Sequence, residues 1–197
     1  MIRHSIVPLC LLLVGACGAM REPPPTIREA KPVEAGPACV WLAPGKTQEQ
    51  SCLESLKFRL FTHVEEERHR LNAEALPLAL DPTLSSAAQV HSDDMAMKMS
   101  FDVMNPDGNP AVNALLIDPK FQGYVAENAA AQYFTPGTVI NPEALAKAFV
   151  DIWLNSPSHK SNLTFERFDR TGIGIAVSGN TIYAAELFAT DFGLPQP

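Results

Sequence analysis

The residues best placed to do chemistry cluster in Trp153-Leu-Asn-Ser156-Pro-Ser158-His159-Lys-Ser161-Asn162-Leu163. This stretch closes a helix-like run and then sets an imidazole among hydroxyls in a Pro-broken turn. Upstream, Ala126-Glu127-Asn128-Ala129 offers a carboxylate beside an amide. If Glu127 and His159 meet, they form an acid–imidazole pair, with Asn128 and Ser156 as polar neighbours. Three chemistries are open to such a cleft. It could bind a ligand. It could hydrolyse one, with Ser156, Ser158 or Ser161 as nucleophile, His159 as base and Glu127 orienting the ring. It could hold a divalent metal. Against hydrolysis, the chain has no Gly-x-Ser-x-Gly elbow, and serines beside a turn readily bond local backbone instead. Against metal, zinc wants three or four N, S or O ligands and this pair supplies two. A fourth reading is structural: Glu127 and His159 hydrogen-bond across the cleft and pin a loop to a sheet.

Periodicity predicts the elements that must position these groups. Leu53, Leu56, Leu60, Val64 and Leu71 fall near one face of a helix from about Leu53 to Ala75. Its opposite face, with Glu65, Glu66, Glu67, Arg68 and Arg70, reads as solvated. Asp81-Pro82 starts a second helix by capping logic. Leu84, Ala87, Ala88, His91, Met95 and Met99 form its apolar stripe, so His91 reads as a hydrogen-bonded core histidine rather than a ligand. Pro106-Asp107-Gly108 is a turn, and a short helix is expected near Ala111 to Ile117. Tyr124 to Tyr133 is ambiguous between strand and irregular structure. Asn141-Pro142-Glu143 starts a helix that buries Leu145, Phe149, Ile152 and Trp153. The end of the chain reads as a hairpin, Gly172–Val177 and Thr181–Phe188 around Ser178-Gly179-Asn180. Helices first and a hairpin last predict an α+β class with helices packed on a small antiparallel sheet.

The chain has 197 residues, 46% hydrophobic and 19% charged, which suits one ordinary core. Its net charge of −7 has no basic stripe to offset it, which argues against nucleic acid as a partner. Met1-Ile-Arg3-His4 followed by an apolar run to Ala16 reads as an export signal, too short to span a membrane. It ends in Leu13-Val14-Gly15-Ala16-Cys17, which resembles the bacterial lipobox, so Cys17 is the expected lipidation site. Plain cleavage near Ala16 or Ala19 is the alternative. The prolines from Pro23 to Pro37 make a stiff tether. With Cys10 in the leader and Cys17 lipidated, Cys39 and Cys52 are left as a pair in an oxidising compartment. A disulfide is expected between them, with two free thiols as the alternative.

Several motifs then occur in a telling order: Leu78-Ala-Leu-Asp81-Pro, His91-Ser-Asp-Asp-Met95, Phe101 to Gly108, Ala126-Glu127-Asn128, Trp153 to Leu163, and Gly172-Ile-Gly174. Over about residues 58–190 they resemble the bacterial branch of the CAP superfamily, also called the SCP domain (cysteine-rich secretory proteins, antigen 5 and pathogenesis-related 1 proteins). The resemblance implies a three-layer α-β-α sandwich with a cleft on one side. In some members that cleft carries two histidines and two glutamates that hold zinc. Glu127 takes the place of one glutamate and His159 of one histidine. Val103 stands where the other histidine would be, and Ser156 where the other glutamate would be. Zinc is therefore possible but disfavoured, and no other cofactor is implied. The resulting expectation is an export signal at 1–16, a lipidated Cys17 and tether at 17–38, a cysteine-containing lead-in at 39–57, the domain at 58–190 and a tail at 191–197. The expected protein is anchored by lipid to a bacterial membrane, the outer one if the host has two. There it serves as a non-catalytic binding or scaffold protein using Glu127, Asn128, Ser156 and His159. Its expected partners are a lipid or small apolar molecule, or an envelope protein or cell-wall component. Hydrolase activity, or weak zinc binding through Glu127 and His159, are the alternatives.

Overall fold

The computed structural model describes residues 39–40, 47–100, 123–135 and 139–190, with side chains from Cys52 onward. The leader, Cys17, the tether, Val103, the Pro106-Asp107-Gly108 turn, the helix expected near 111–117 and the tail at 191–197 lie outside the described residues.

The described elements run β1 (Cys39–Val40), α1 (Thr47–Leu71), β2 (Ala79–Leu80), α2 (Pro82–Lys98), β3 (Val125–Tyr133), β4 (Val139–Ile140), α3 (Pro142–Leu154), α4 (Pro157–Thr164), β5 (Arg170–Ser178) and β6 (Thr181–Ala189). The capping signals act as their chemistry dictates. Asp81 accepts from Thr83 N and Leu84 N at 2.8 and 2.9 Å. Asn141 accepts from Glu143 N at 2.9 Å. In each case proline follows in the first turn, where its missing N–H costs nothing. The β5–β6 hairpin closes with Ser178 opposite Thr181, and Gly179 supplies the positive φ of 56° that the turn needs.

Four strands form the main sheet in the order β2-β5-β6-β3, while β1 and β4 pair separately. The sheet is mixed rather than purely antiparallel, because β2 runs parallel to β5. Side-chain alternation along the strands divides the core in two. Ile182, Ala184 and Phe188 of β6, with Ile173 and Ile175 of β5, pack against α1 and α3 beside Leu60, Val64, Phe149 and Trp153. Tyr183, Ala185, Leu187 and Ala189 face the other way, onto Leu84, Ala88 and Met95 of α2. The result is an α-β-α sandwich. The α2 layer approaches so closely that a Cβ on Gly174 would stand 2.1 Å from Ala88 O, and one on Gly172 2.1 Å from Ser85 N.

Three expectations need correcting. First, α4 carries His159, so the Ser156-Pro157 break opens a new helix rather than a loop; proline at the first helical position starts a helix as readily as it ends one. Second, Arg68 is not on a solvated face. It is 0% exposed, because the residues around it curl over the end of α1. Third, the expected Cys39–Cys52 pairing is not established among the described side chains, which begin at Cys52. Cys52 is buried on α1 and is disulfide-bonded rather than a titrating thiol, but it is the one described cysteine side chain. No described helix is long and apolar enough to cross a membrane.

Candidate functional site

Strand β3 delivers the two polar groups of the Glu127-Asn128 dipeptide, and alternation sends them to opposite faces of the sheet. Glu127 lies in register with Leu187, on the α2 side. Its carboxylate meets the Nδ1 of His91, forming a buried pair in which the histidine is 0% exposed. Asn128 turns toward α4. Its Nδ2 donates to His159 O at 3.0 Å, and its Oδ1 accepts from Asn162 Nδ2, also at 3.0 Å. Asn162 donates in addition to Glu127 O at 3.1 Å. One amide therefore docks α4 on β3, while the neighbouring carboxylate docks α2.

This geometry reassigns the residues singled out in the sequence. Glu127 finds His91, a hydrogen-bonded core histidine as its apolar stripe predicts. His159 is tied to β3 through its backbone carbonyl. Ser156 begins α4 without a side-chain cap bond, and its hydroxyl lies 3.1 Å from that of Ser158. Among the described residues no group of three or more His, Cys, Asp or Glu side chains is placed to hold a metal ion. The residues present do not fit the zinc site that the resemblance implies, since the carboxylate of Glu127 is committed to α2.

Two features of this region are not signalled by any motif. One is a groove of about 480 Å³ lined by Tyr124, Val125, Ala126, Ser161, Asn162 and the segment 165–168. Its aromatic rings form a ladder into the core. Tyr124 meets Phe165 edge-on at 5.4 Å, Phe165 meets Phe168 at 4.8 Å, and Phe168 stacks on Phe188 at 5.5 Å. Tyr124 is exposed at the outer end and Phe188 fully buried at the inner end. Asn162 thus has two neighbours, the Glu127-Asn128 dipeptide and the groove.

The other is a buried charged cluster behind the groove. Arg68 Nη1 donates to Leu163 O at 2.7 Å and to Phe165 O at 3.3 Å, while Nη2 donates to Leu76 O at 3.0 Å and to Phe168 O at 3.1 Å. Burial draws the pKa of this guanidinium down, and Glu65 and Glu186 pull it back up. Glu186, wholly buried on β6, is pushed up to about 8 by burial, against the pull of its Thr171 hydrogen bond and Arg68. The Thr171 hydroxyl sits 2.8 Å from Glu186 Oε1 and 2.9 Å from Leu187 O. One hydroxyl proton serves two acceptors poorly. A protonated Glu186 ends that competition by donating to Thr171, which then donates to Leu187 O.

The sequence profile of the cysteine-rich secretory protein family, CAP, matches residues 67–192. The uncharacterized protein YkwD of Bacillus subtilis is 35% identical over 107 residues, covering 53% of this chain; the chain spans only 37% of that relative's length. An extracellular protein containing an SCP domain from Bacillus anthracis superposes with a TM-score of 0.54 at 25% identity, over 76% of this chain and 45% of that one. An outer surface protein from Borrelia burgdorferi has the same fold, with a TM-score of 0.56 at 23% identity, over 71% and 94% of the two chains. With its motifs in order, its α-β-α layers and a matching profile across most of the described domain, the chain belongs to the cysteine-rich secretory protein (CAP) family.

Proposed function

We propose that this CAP domain is an exported, envelope-anchored binding protein, without catalysis of its own, whose groove takes a small amphiphile. The ligand's apolar body lies against Tyr124, Ala126, Phe165 and Phe168. Its polar end points to Ser161, Asn162 and Arg167. The observation that carries this reading is the groove itself, an open surface that sets the rings of Tyr124, Phe165 and Phe168 beside the polar groups of Ser161, Asn162 and Arg167. This arrangement suits a ligand with an apolar body and a polar end. The neighbouring groups favour binding over catalysis. Glu127 is engaged by His91, and Ser156 by Ser158. Export is supported by the leader sequence and by the likeness to an extracellular protein. Anchoring is supported by the Leu13-Val14-Gly15-Ala16-Cys17 pattern.

Titrating the detergent-extracted protein with a long-chain fatty acid, followed by native mass spectrometry, tests the reading. Saturable one-to-one binding is expected, weakened by Phe165→Ala. Absence of saturable binding, or binding indifferent to Phe165→Ala, removes the amphiphile reading and directs the search to an envelope protein or cell-wall partner. Turnover of an ester probe that depends on His159 would instead favour the hydrolase.

A further inference from the structure

The groove has one wall of unusual construction. Six of its nine lining residues come from 161–168, where α4 ends and the chain turns into β5. This turn is held from behind by its carbonyl oxygens. Arg68 takes those of Leu163, Phe165 and Phe168. Asn72 Nδ2 takes that of Thr164 at 3.0 Å. Leu76 N takes that of Glu166 at 2.9 Å. The last turn of α1 and the residues just after it therefore grip nearly every carbonyl from 163 to 168. Among the described residues, Arg68 spans three of them at once.

We infer that Arg68 is the positioning residue of the groove: it touches no ligand, but it fixes where Phe165 and Phe168 stand. The inference rests on the binding reading above. A planar guanidinium with a fork of donors can serve several carbonyls at fixed angles. A lysine keeps the charge as a single point and cannot reproduce that span. Arg68 grips the groove wall at the edge of the cluster on the α1 face, whereas the cluster that buries Tyr183, Ala185 and Leu187 of β6 lies on the opposite face of the sheet, against α2. Loss of Arg68 should therefore loosen the wall before it loosens the sandwich.

The test uses the full chain and two variants, Arg68→Lys and the milder Asn72→Ala. Two readings are taken: fatty-acid affinity, and amide hydrogen exchange at 164–169 compared with 182–188 in β6. For Arg68→Lys, exchange at 164–169 should accelerate by about tenfold or more while β6 stays protected. Affinity should fall by about tenfold. Asn72→Ala should move both readings in the same direction by less. Acceleration spread equally over β6 makes Arg68 a general stability residue and overturns the inference, as does unchanged exchange or affinity in Arg68→Lys. If Arg68→Lys does not fold, Asn72→Ala decides: an unaltered wall and affinity overturn the proposal. If the wild type binds no fatty acid, the binding reading fails by itself, and the exchange contrast alone decides whether Arg68 holds the wall.

Discussion

A carboxyl pushed up to about 8 holds its proton through most of the neutral range, and Glu186 does so in the centre of the main sheet. In the unfolded chain the same group ionises near its ordinary value of 4.5. The folded form therefore binds a proton that the unfolded form has released, and stability from this group falls as pH rises between those two values. The slope is about 1 kcal/mol per pH unit. Above pH 8 the loss is complete and the slope vanishes. Glu186→Gln keeps the shape without the titration. It should match the wild type near pH 4.5 and surpass it increasingly toward pH 8, as measured by urea denaturation at a series of pH values. A wild type that gains stability over that range would contradict the protonated state. Little of this was legible in advance. Glu186 sits in an apolar run of a clear strand, but no local pattern says that an arginine from α1 lies behind it. His91 was more readable, because its apolar neighbours at helical spacing placed it in the core. Its partner was not, since Glu127 and Asn128 are adjacent in sequence and point to different layers.

At the scale of elements, patterns of period and capping carried furthest. Asp81-Pro82 and Asn141-Pro142 marked helix starts, and Gly179-Asn180 marked the hairpin, because each signal is local chemistry. Tyr124–Tyr133 was ambiguous between strand and irregular structure because Asn128 and three consecutive alanines break the usual strand pattern; pairing with β6 from Val125 to Tyr133 decides for strand. The charged run at the end of α1 misled for a related reason. A helical wheel shows which face is polar but not what later folds over it, and the turn after α4 covers Arg68. The contact of α2 with β5 gives a prediction at this scale. Gly174→Ala places a methyl 2.1 Å from Ala88 O, against backbone that cannot rotate away. The helix must move off the sheet, so a loss of about 1–3 kcal/mol is expected by chemical denaturation. A neutral result would mean that α2 rides more loosely on the sheet than its glycines imply.

For the whole molecule, the folded domain and its attachment are separate problems. The sandwich packs one layer of helix on each face of a four-stranded sheet, and no described helix crosses a membrane. Under the proposed function, attachment belongs to Cys17 alone. Cys17→Ala should therefore move the protein from the membrane pellet to the soluble fraction without changing the melting temperature of the domain. Retention in the pellet would place the anchor elsewhere. The family resemblance was legible because several of its described motif residues, His91, Glu127, Asn128, Asn162, Gly172 and Gly174, lie at contacts between layers. The groove was not, because it is built from the shape of a turn. That turn has a last consequence. Arg68, Asn72 and Leu76 hold its main-chain oxygens and leave its side chains out of the grip. Residues 164–167 can change identity while the frame stays the same, but inserting or deleting one residue would leave a carbonyl without its clasp. Such a turn can acquire new tastes by point substitution alone, as a socket accepts different tools while its bore stays fixed.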